Sequence, residues 1–355
     1  MEIGLIGLPN SGKTSIFNAL TRSEAEVTAY ANPKAEPNLA VVDVEDARIK
    51  QLSEMYQPKK TVFATIKMID FVGVTEGSGK EGLFGSAVMT MVKATNAIAI
   101  VVRNFDDELE GPPEPLKDLS TIDDELLFAD LIVAENRLER IRKGYKRGQK
   151  TAELQFEEKV LERIHQQLSD NAPIREMSFV EDEEKILRGF QFMTHKPLMV
   201  ILNSSETLFG KSDKVLQDIR RKHKAIEFAG KFEMELVGLD DEEAQLFMED
   251  MNISQSAQAR LTKFAHEIMG YINFFTVGSD EVRAWNIRQG DNAVLAAGAI
   301  HSDLARGFIR AECFSYANLL ECGSEKALKE KGLMQLEGKD YIVKDGDILN
   351  IRFSV

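Results

Sequence analysis

The stretch that decides the fold opens the chain: Ile3-Gly4-Leu5-Ile6, followed by Gly7-Leu8-Pro9-Asn10-Ser11-Gly12-Lys13-Thr14. The first four residues are a short apolar run. The next eight fit G-x-x-x-x-G-K-[ST], a glycine-rich loop whose backbone N–H groups cradle phosphate oxygens. Ile16, Phe17, Ala19 and Leu20 then repeat at helical spacing, so the loop stands between a strand and a helix, as the motif requires. Gly7 and Gly12 are expected to supply backbone angles that side chains disfavour. The helix starting near Lys13 points its positive end at the same anion. From Pro9 to Ser15 the loop and first helical turn form the candidate phosphate site. Lys13 is expected to reach the terminal phosphates, and Thr14 to offer its hydroxyl to Mg2+.

A second acid near that metal is needed. Asp70-Phe71-Val72-Gly73 follows the apolar run Ile66–Ile69 and reads D-x-x-G. Asp70 can hold a metal-bound water, and the Gly73 N–H can bond a γ-phosphate and sense its loss. Base recognition is expected after a later strand, Pro197–Leu202, where Asn203-Ser204-Ser205-Glu206 stands. Guanine-reading proteins commonly carry N-K-x-D there. Here Ser204 occupies the Lys position, and Glu206, longer by one methylene, occupies the Asp position. That argues against strict guanine selection. Ala229-Gly230 could complete the base pocket through backbone groups, and Asn10 could help hold a monovalent cation such as K+ beside the phosphates. The five histidines form no close pair and show no metal spacing.

The chain has 355 residues, 43% of them hydrophobic, enough for two or three domains. A net charge of −14 excludes non-specific coating of nucleic acid, so any RNA contact needs a local basic patch. Two cysteines at no ligand spacing fit a reduced compartment. The amino terminus lacks a basic region followed by an apolar one, and no uncharged apolar run approaches the roughly 18 residues of a membrane span. A cytoplasmic monomer without membrane attachment is the expectation.

Apolar runs at Ile3–Ile6, Val62–Ile69 and Ala97–Val102 alternate with helical stretches, a rhythm of parallel α/β sheets. Gly77, Gly79, Gly82 and Gly85 mark a glycine-rich loop after Asp70. Leu127, Leu131, Ala134, Leu138 and Ile141 then follow a 4-3-4-3 spacing, and Leu154, Leu161, Ile164 and Leu168 a compatible one, which reads as an antiparallel coiled-coil hairpin. Its tip is basic: Arg137, Arg140, Arg142, Lys143, Lys146, Arg147 and Lys150 crowd there, with Glu139 alone among them. The sheet resumes at Pro197–Leu202 and Ala225–Ala229, so the hairpin is inserted within the nucleotide domain. Residues 240–270 read as helices. From Tyr271 onward short strands prevail, including a hairpin of Tyr341–Val343 with Ile348–Ile351 around Lys344–Asp347. Between 271 and 355 acids outnumber bases twelve to ten, so this module is no electrostatic RNA clamp by itself.

With these motifs in hand, the chain resembles the YchF/Obg-like ATPase family of translation-factor-related P-loop GTPases over essentially its full length. The strongest stretches are Phe275-Thr276, Glu281–Trp285, Ala296–Gly298, Ile300-His301, Gly307–Glu312, Glu337–Tyr341 and Asp345–Asp347, which look like the family's TGS domain, a ubiquitin-like β-grasp. The resemblance implies an α/β P-loop nucleotidase core with a parallel-type sheet (1–122 and 176–270), an inserted coiled-coil arm (123–175) and a TGS domain (271–355). It also implies translation- or stress-associated work near ribosomes, with ATP used as well as or instead of GTP. Three departures stand out. Lys34 begins Lys34-Ala35-Glu36-Pro37-Asn38 where the family usually has Thr; the usual D-I-A-G-L becomes Asp70-Phe71-Val72-Gly73-Val74; and Ala229 replaces a Ser. The residues predict a slow, Mg2+-dependent nucleoside triphosphatase with no evident water-orienting side chain. The alternatives are a nucleotide-gated binding module whose hydrolysis has decayed and, ranked below both, a small-molecule P-loop kinase.

Overall fold

The computed structural model describes residues 1–21, 37–71, 85–108 and 111–354. Lys34–Glu36, Val72–Val74, Gly77, Gly79 and Gly82 lie outside the described residues. Twelve strands are described: β1 (Glu2–Ile6), β2 (Asn38–Asp43), β3 (Lys60–Val62), β4 (Thr65–Asp70), β5 (Ala97–Asn104), β6 (Leu198–Ser204), β7 (Lys224–Phe228), β8 (Tyr271–Thr276), β9 (Glu281–Arg288), β10 (Phe308–Ser315), β11 (Gln335–Glu337) and β12 (Asp347–Phe353). They form two sheets, in the orders β2-β4-β1-β5-β6-β7 and β11-β10-β12-β8-β9-β3. The chain divides into two compact units, Met1–Ala40 with Lys67–Ala257, and Val41–Ile66 with Gln258–Val355.

In the first sheet β4, β1, β5, β6 and β7 run parallel. Every residue of β5 and β6 is buried, which explains their unbroken apolar sequences: a central parallel strand is covered on both faces. Ile98, Ile100 and Val102 of β5 join Val200 and Leu202 of β6 in a core shared with Val92, Leu119, Ile122, Leu126, Leu216 and Ile219 from flanking helices. Register sets the site: Leu5 of β1 lies opposite Asp70 of β4, at the end where the phosphate loop begins.

The helix predicted from the coiled-coil seam is longer than that seam. It runs unbroken over Pro115–Lys146, 32 residues. Its first turns (Leu119, Ile122, Leu126) pack on the sheet, and only from Leu127 does it face the helix Ala152–Ser169. The boundary expected at 122/123 therefore falls inside a helix. Ala134, Leu138 and Ile141 meet Leu161, Ile164 and Leu168 in a core of their own, with Leu131 and Leu154 partly buried against it. Asp130 is fully buried within the long helix. Its carboxylate accepts from the Met193 and Thr194 N–H groups and the Thr194 hydroxyl, which fastens the helix to the segment leading into β6.

Two expectations are corrected. The apolar run Val62–Ile69 is not one strand. It splits around Phe63-Ala64: β3 pairs in parallel with β9 in the second sheet, and β4 joins the first. Tyr341–Val343 is not a strand of a hairpin. The Ala293 N–H bonds the Tyr341 carbonyl and the Val343 N–H bonds the Asp291 carbonyl, so its backbone is satisfied by a loop, and a single bridge joins Ile342 to Asn292. β12 pairs with β10 and β8 instead. In the second unit, Phe274, Ile287, Ala311 and Leu349 pack with Ala293, Ala296 and Ala297 of the helix Ala293–Ile300. The helix Ala47–Tyr56 belongs to this unit too, with Ile49 and Leu52 fully buried. Sequence reading assigns residues 41–66 to the nucleotide domain; the structure carries them with the C-terminal segment.

Candidate nucleotide-binding site

The loop after β1 is built from tight backbone. The Ser11 N–H bonds the Leu8 carbonyl at 3.3 Å, and Asn10 and Gly12 adopt left-handed angles, φ 57° and 80°. Gly12 thus meets the conformational expectation. Gly7 is needed for a different reason: a Cβ there would stand 2.5 Å from the Val101 carbonyl oxygen of β5. The helix Lys13–Thr21 follows, fixed by buried Ile16, Phe17 and Leu20, and directs its free N–H groups toward the loop. Pro9, Asn10, Thr14 and Ser15 stay partly exposed around it, while Ser11 and Lys13 are buried.

The Lys13 ammonium donates to the carbonyls of Gly7 (3.0 Å) and Leu8 (2.9 Å), closing the loop around its own side chain. Burial lowers its pKa to about 8, against the opposing pull of Asp70. Asp70 is fully buried at the end of β4. Its Oδ2 accepts from the Thr14 hydroxyl at 2.9 Å and from the Asn38 amide at 3.3 Å. Its Oδ1, like the Ser11 hydroxyl, is buried without a partner among the described residues. Burial drives the Asp70 carboxyl upward, and Thr14, the Lys13 charge and Asn38 pull against that shift.

A buried, incompletely bonded carboxylate beside a hydroxyl is a donor set for a hard cation that favours oxygen ligands. These residues fit Mg2+: Thr14 and Asp70 would hold it or its waters. Asn38 ends the segment Lys34–Asn38 and starts β2, and sequence reading assigns it no role at this site.

The base-recognition residues divide. Asn203 is buried, donates from Nδ2 to the Ser11 carbonyl at 3.0 Å, and accepts at Oδ1 from the Gly230 N–H, also at 3.0 Å. One amide therefore ties the phosphate loop to the turn after β7. Ala229 is buried beside it, its N–H bonded to Glu233. Ser204, at the position of the usual Lys, instead donates to Glu227 (2.5 Å) and accepts from Asn104 (2.8 Å) within the sheet. Glu206 is exposed.

Phe105 was missed by sequence reading. Its ring comes to 3.7 Å from where a Cβ on Gly12 would stand. Arg103 steadies it, donating to the Phe105 and Gly111 carbonyls (3.0 and 2.6 Å). The Arg103 guanidinium also stands over this ring, 6.0 Å from its centroid. An aromatic residue just past a central strand was the available signal.

Residues 2–137 match a family model described as "50S ribosome-binding GTPase", and residues 271–354 match the YchF-GTPase C-terminal model, described as "Protein of unknown function (DUF933)". The chain is 35% identical over 366 residues to "Ribosome-binding ATPase YchF" of Bacillus subtilis, covering 100% of both chains. It is 36% identical to the protein of that name from Haemophilus influenzae, covering 100% of this chain and 99% of the other. The solved "Structure of the Schizosaccharomyces pombe YchF GTPase" superposes with a TM-score of 0.85 at 33% identity, over 99% of this chain and 97% of that one. The α/β fold is that of a P-loop GTPase, and the chain belongs to the YchF family.

Proposed function

We propose that the chain is a magnesium-dependent nucleoside triphosphatase, acting on ATP, GTP or both as a slow nucleotide switch in the cytoplasm, as a monomer associated with ribosomes. One observation carries the reading: Lys13, Thr14 and Asp70 converge beneath the phosphate loop, with Asp70 Oδ1 and the Ser11 hydroxyl buried and unpartnered among the described residues. In this reading the backbone N–H groups of Asn10–Gly12, Ser15 and Gly73 receive the phosphates, Pro9 shapes the turn, and Lys13 neutralises them. Thr14 and Asp70 serve the metal, which when bound supplies charge for the transferring phosphoryl group. Asn203, Ala229 and Gly230 line the base side. Exposed Glu206, at the Asp position of N-K-x-D, is the candidate base acceptor, and Asn10 is the candidate K+ contact.

The hairpin of Pro115–Lys146 with Ala152–Ser169 serves as a coiled-coil arm and the C-terminal segment as a TGS β-grasp, each a candidate ribosome contact; the relatives' name supports that partner. Within the arm Arg137 pairs with Glu157, Arg142 with Glu158 and Glu162, and Lys143 with Glu139. The exposed charge for an RNA contact then rests on Arg140, Lys146, Arg147 and Lys150.

The test is calorimetric titration of non-hydrolysable ATP and GTP analogues with and without Mg2+, paired with single-turnover phosphate release. Binding abolished by Lys13→Ala, with slow Mg2+-dependent release, supports the reading; binding and turnover unchanged by Lys13→Ala overturns it. Lys34 at the family's Thr position favours a second reading, a binding module without hydrolysis. Tight analogue binding with no phosphate release would select it.

A further inference from the structure

The loop after β6, residues 205–211, carries Glu206 and is pinned at both ends by polar side chains of the neighbouring strands. Asn104 ends β5 and is buried. Its carbonyl accepts from the Ser205 N–H at 3.2 Å, where the loop leaves β6. Its Nδ2 donates to the Ser212 hydroxyl at 2.8 Å, where the loop ends. Glu227 of β7 grips the loop from the other side. One of its carboxylate oxygens accepts from the Ser204 hydroxyl at 2.5 Å and the other from the Gly210 N–H at 3.1 Å. Ser204 joins the two strands, because its hydroxyl also accepts from Asn104 at 2.8 Å.

The loop is also bonded within itself. The Leu208 and Phe209 N–H groups both reach the Ser205 carbonyl, at 3.1 and 2.9 Å, and Lys211 Nζ donates to the Thr207 carbonyl at 2.9 Å. Phe209 packs against the cluster of Ala229, Phe232 and Ile253. Successive residues of β6 therefore have opposite duties: Asn203 holds the phosphate loop, and Ser204 holds the loop that carries Glu206. A lysine in place of Ser204, as in N-K-x-D, could donate to Glu227 but could not accept from Asn104. A loop fixed in this way keeps its geometry before a ligand arrives, which lowers the ordering cost of binding.

We propose that Ser204 and Glu227 are positioning residues for base recognition: with Asn104 they fix the 205–211 loop, so that Glu206 and the loop backbone stand ready for the base. The proposal rests on the nucleotide-binding reading given above and concerns only the base half of that site.

The test is calorimetry in Mg2+ on the full-length protein with three probes: tripolyphosphate and the non-hydrolysable analogues of ATP and GTP. The affinity of the better-bound analogue divided by that of tripolyphosphate isolates what base and ribose add. Ser204→Ala is expected to cut this ratio about tenfold, the effect of one hydrogen bond to a charged group, with tripolyphosphate affinity kept within about twofold. Ser204→Thr, which keeps the hydroxyl, should restore most of the ratio, and Glu227→Gln, which keeps one of the two oxygens, should fall between. A general loss of folded protein would weaken all three probes together and leave the ratio unmoved. Hydrogen exchange of the unmodified protein without nucleotide needs no variant: the Ser205 and Gly210 N–H groups are expected to be protected. Exchange there at the rate of an open chain, or a ratio unchanged in both Ser204→Ala and Glu227→Gln, overturns the proposal and leaves nucleotide binding standing. Analogues that bind the unmodified protein no more tightly than tripolyphosphate overturn it too. Failure of all three probes to bind would instead overturn the nucleotide-binding reading.

Discussion

The Thr14 hydroxyl lies 2.9 Å from Asp70 Oδ2, so the residue that ends the phosphate-loop motif is the hydrogen-bond donor to a fully buried carboxylate 56 residues later. Thr14→Ala removes that donor and one candidate metal ligand together. Bonds to charged groups are worth about 1.5–3 kcal/mol, so affinity for a triphosphate analogue in Mg2+ should fall at least roughly tenfold. Affinity measured in a chelator should change much less, and Thr14→Ser should restore the Mg2+-dependent part. Equal losses with and without Mg2+ in titration calorimetry would remove Thr14 from the metal site.

Lys13 supplies a pH signature. Its pKa in the folded chain is about 8, against 10.5 for a free lysine. An incoming phosphate restores the charged form, so binding at pH 8 should take up a proton, as much as about half per site. Calorimetry in buffers of different ionisation enthalpy measures that uptake. Stability without nucleotide follows the same sign. Between about pH 8 and 10.5 the unfolded lysine keeps a proton that the folded one has released, so this group's contribution rises with pH across that window. No proton uptake at pH 8 would contradict the buried ammonium.

Asn203 and Glu206 should separate cleanly. Asn203→Ala strands the buried Gly230 N–H and Ser11 carbonyl, each costing about 1–3 kcal/mol, so it should lower the melting temperature and weaken ATP and GTP alike. Glu206 is exposed, and its replacement by Ala should leave stability within about 0.5 kcal/mol. A change in the ATP/GTP ratio in Glu206→Ala therefore reports on the base and not on the fold. Matching stability losses in both variants, seen by thermal denaturation, would refute this division.

What could be read from the residues was local. The phosphate loop, its helix, the D-x-x-G aspartate and Asn203 all sit where a short motif meets the end of an apolar strand, and each reached the same site. The division at Phe63-Ala64 was invisible because Val62 and Ile66 are equally apolar. What separates them is the partner, Arg283 for Val62 and the first sheet for β4, and pairing across some two hundred residues leaves no local mark. The long helix was misjudged at its start for a related reason: Leu126 and Leu127 are neighbours in sequence but belong to different cores. Asn38 ends the Lys34–Asn38 segment but had no assigned role, and Phe105 carries no motif; the fold brings the first to Asp70 and the second to Gly12.

The placement of residues 41–66 gives the last prediction. Helix Ala47–Tyr56 buries Ile49 and Leu52, and Arg48 lies 5.2 Å over the Phe275 ring while donating to Asp345 at 2.6 Å. Full burial of two such side chains contributes about 1.5–3 kcal/mol each, a large share of the 5–15 kcal/mol typical of a domain. A fragment beginning at Gln258 lacks this helix and β3, so it should bind a hydrophobic dye and melt without cooperativity. The same fragment joined by a flexible linker to residues 41–66 should recover a cooperative transition. Asp46 adds a pH dependence to the joined form. Burial pushes its pKa up, but the hydrogen bonds from Arg48 and Asn273 outweigh this and hold it below the ordinary 3.8. Its contribution is therefore complete above about pH 3.8 and is lost as pH falls further, an acid sensitivity that Asp46→Asn should blunt. Cooperative melting of the bare fragment, indistinguishable from that of the joined one, would show that residues 41–66 are not needed to complete this unit.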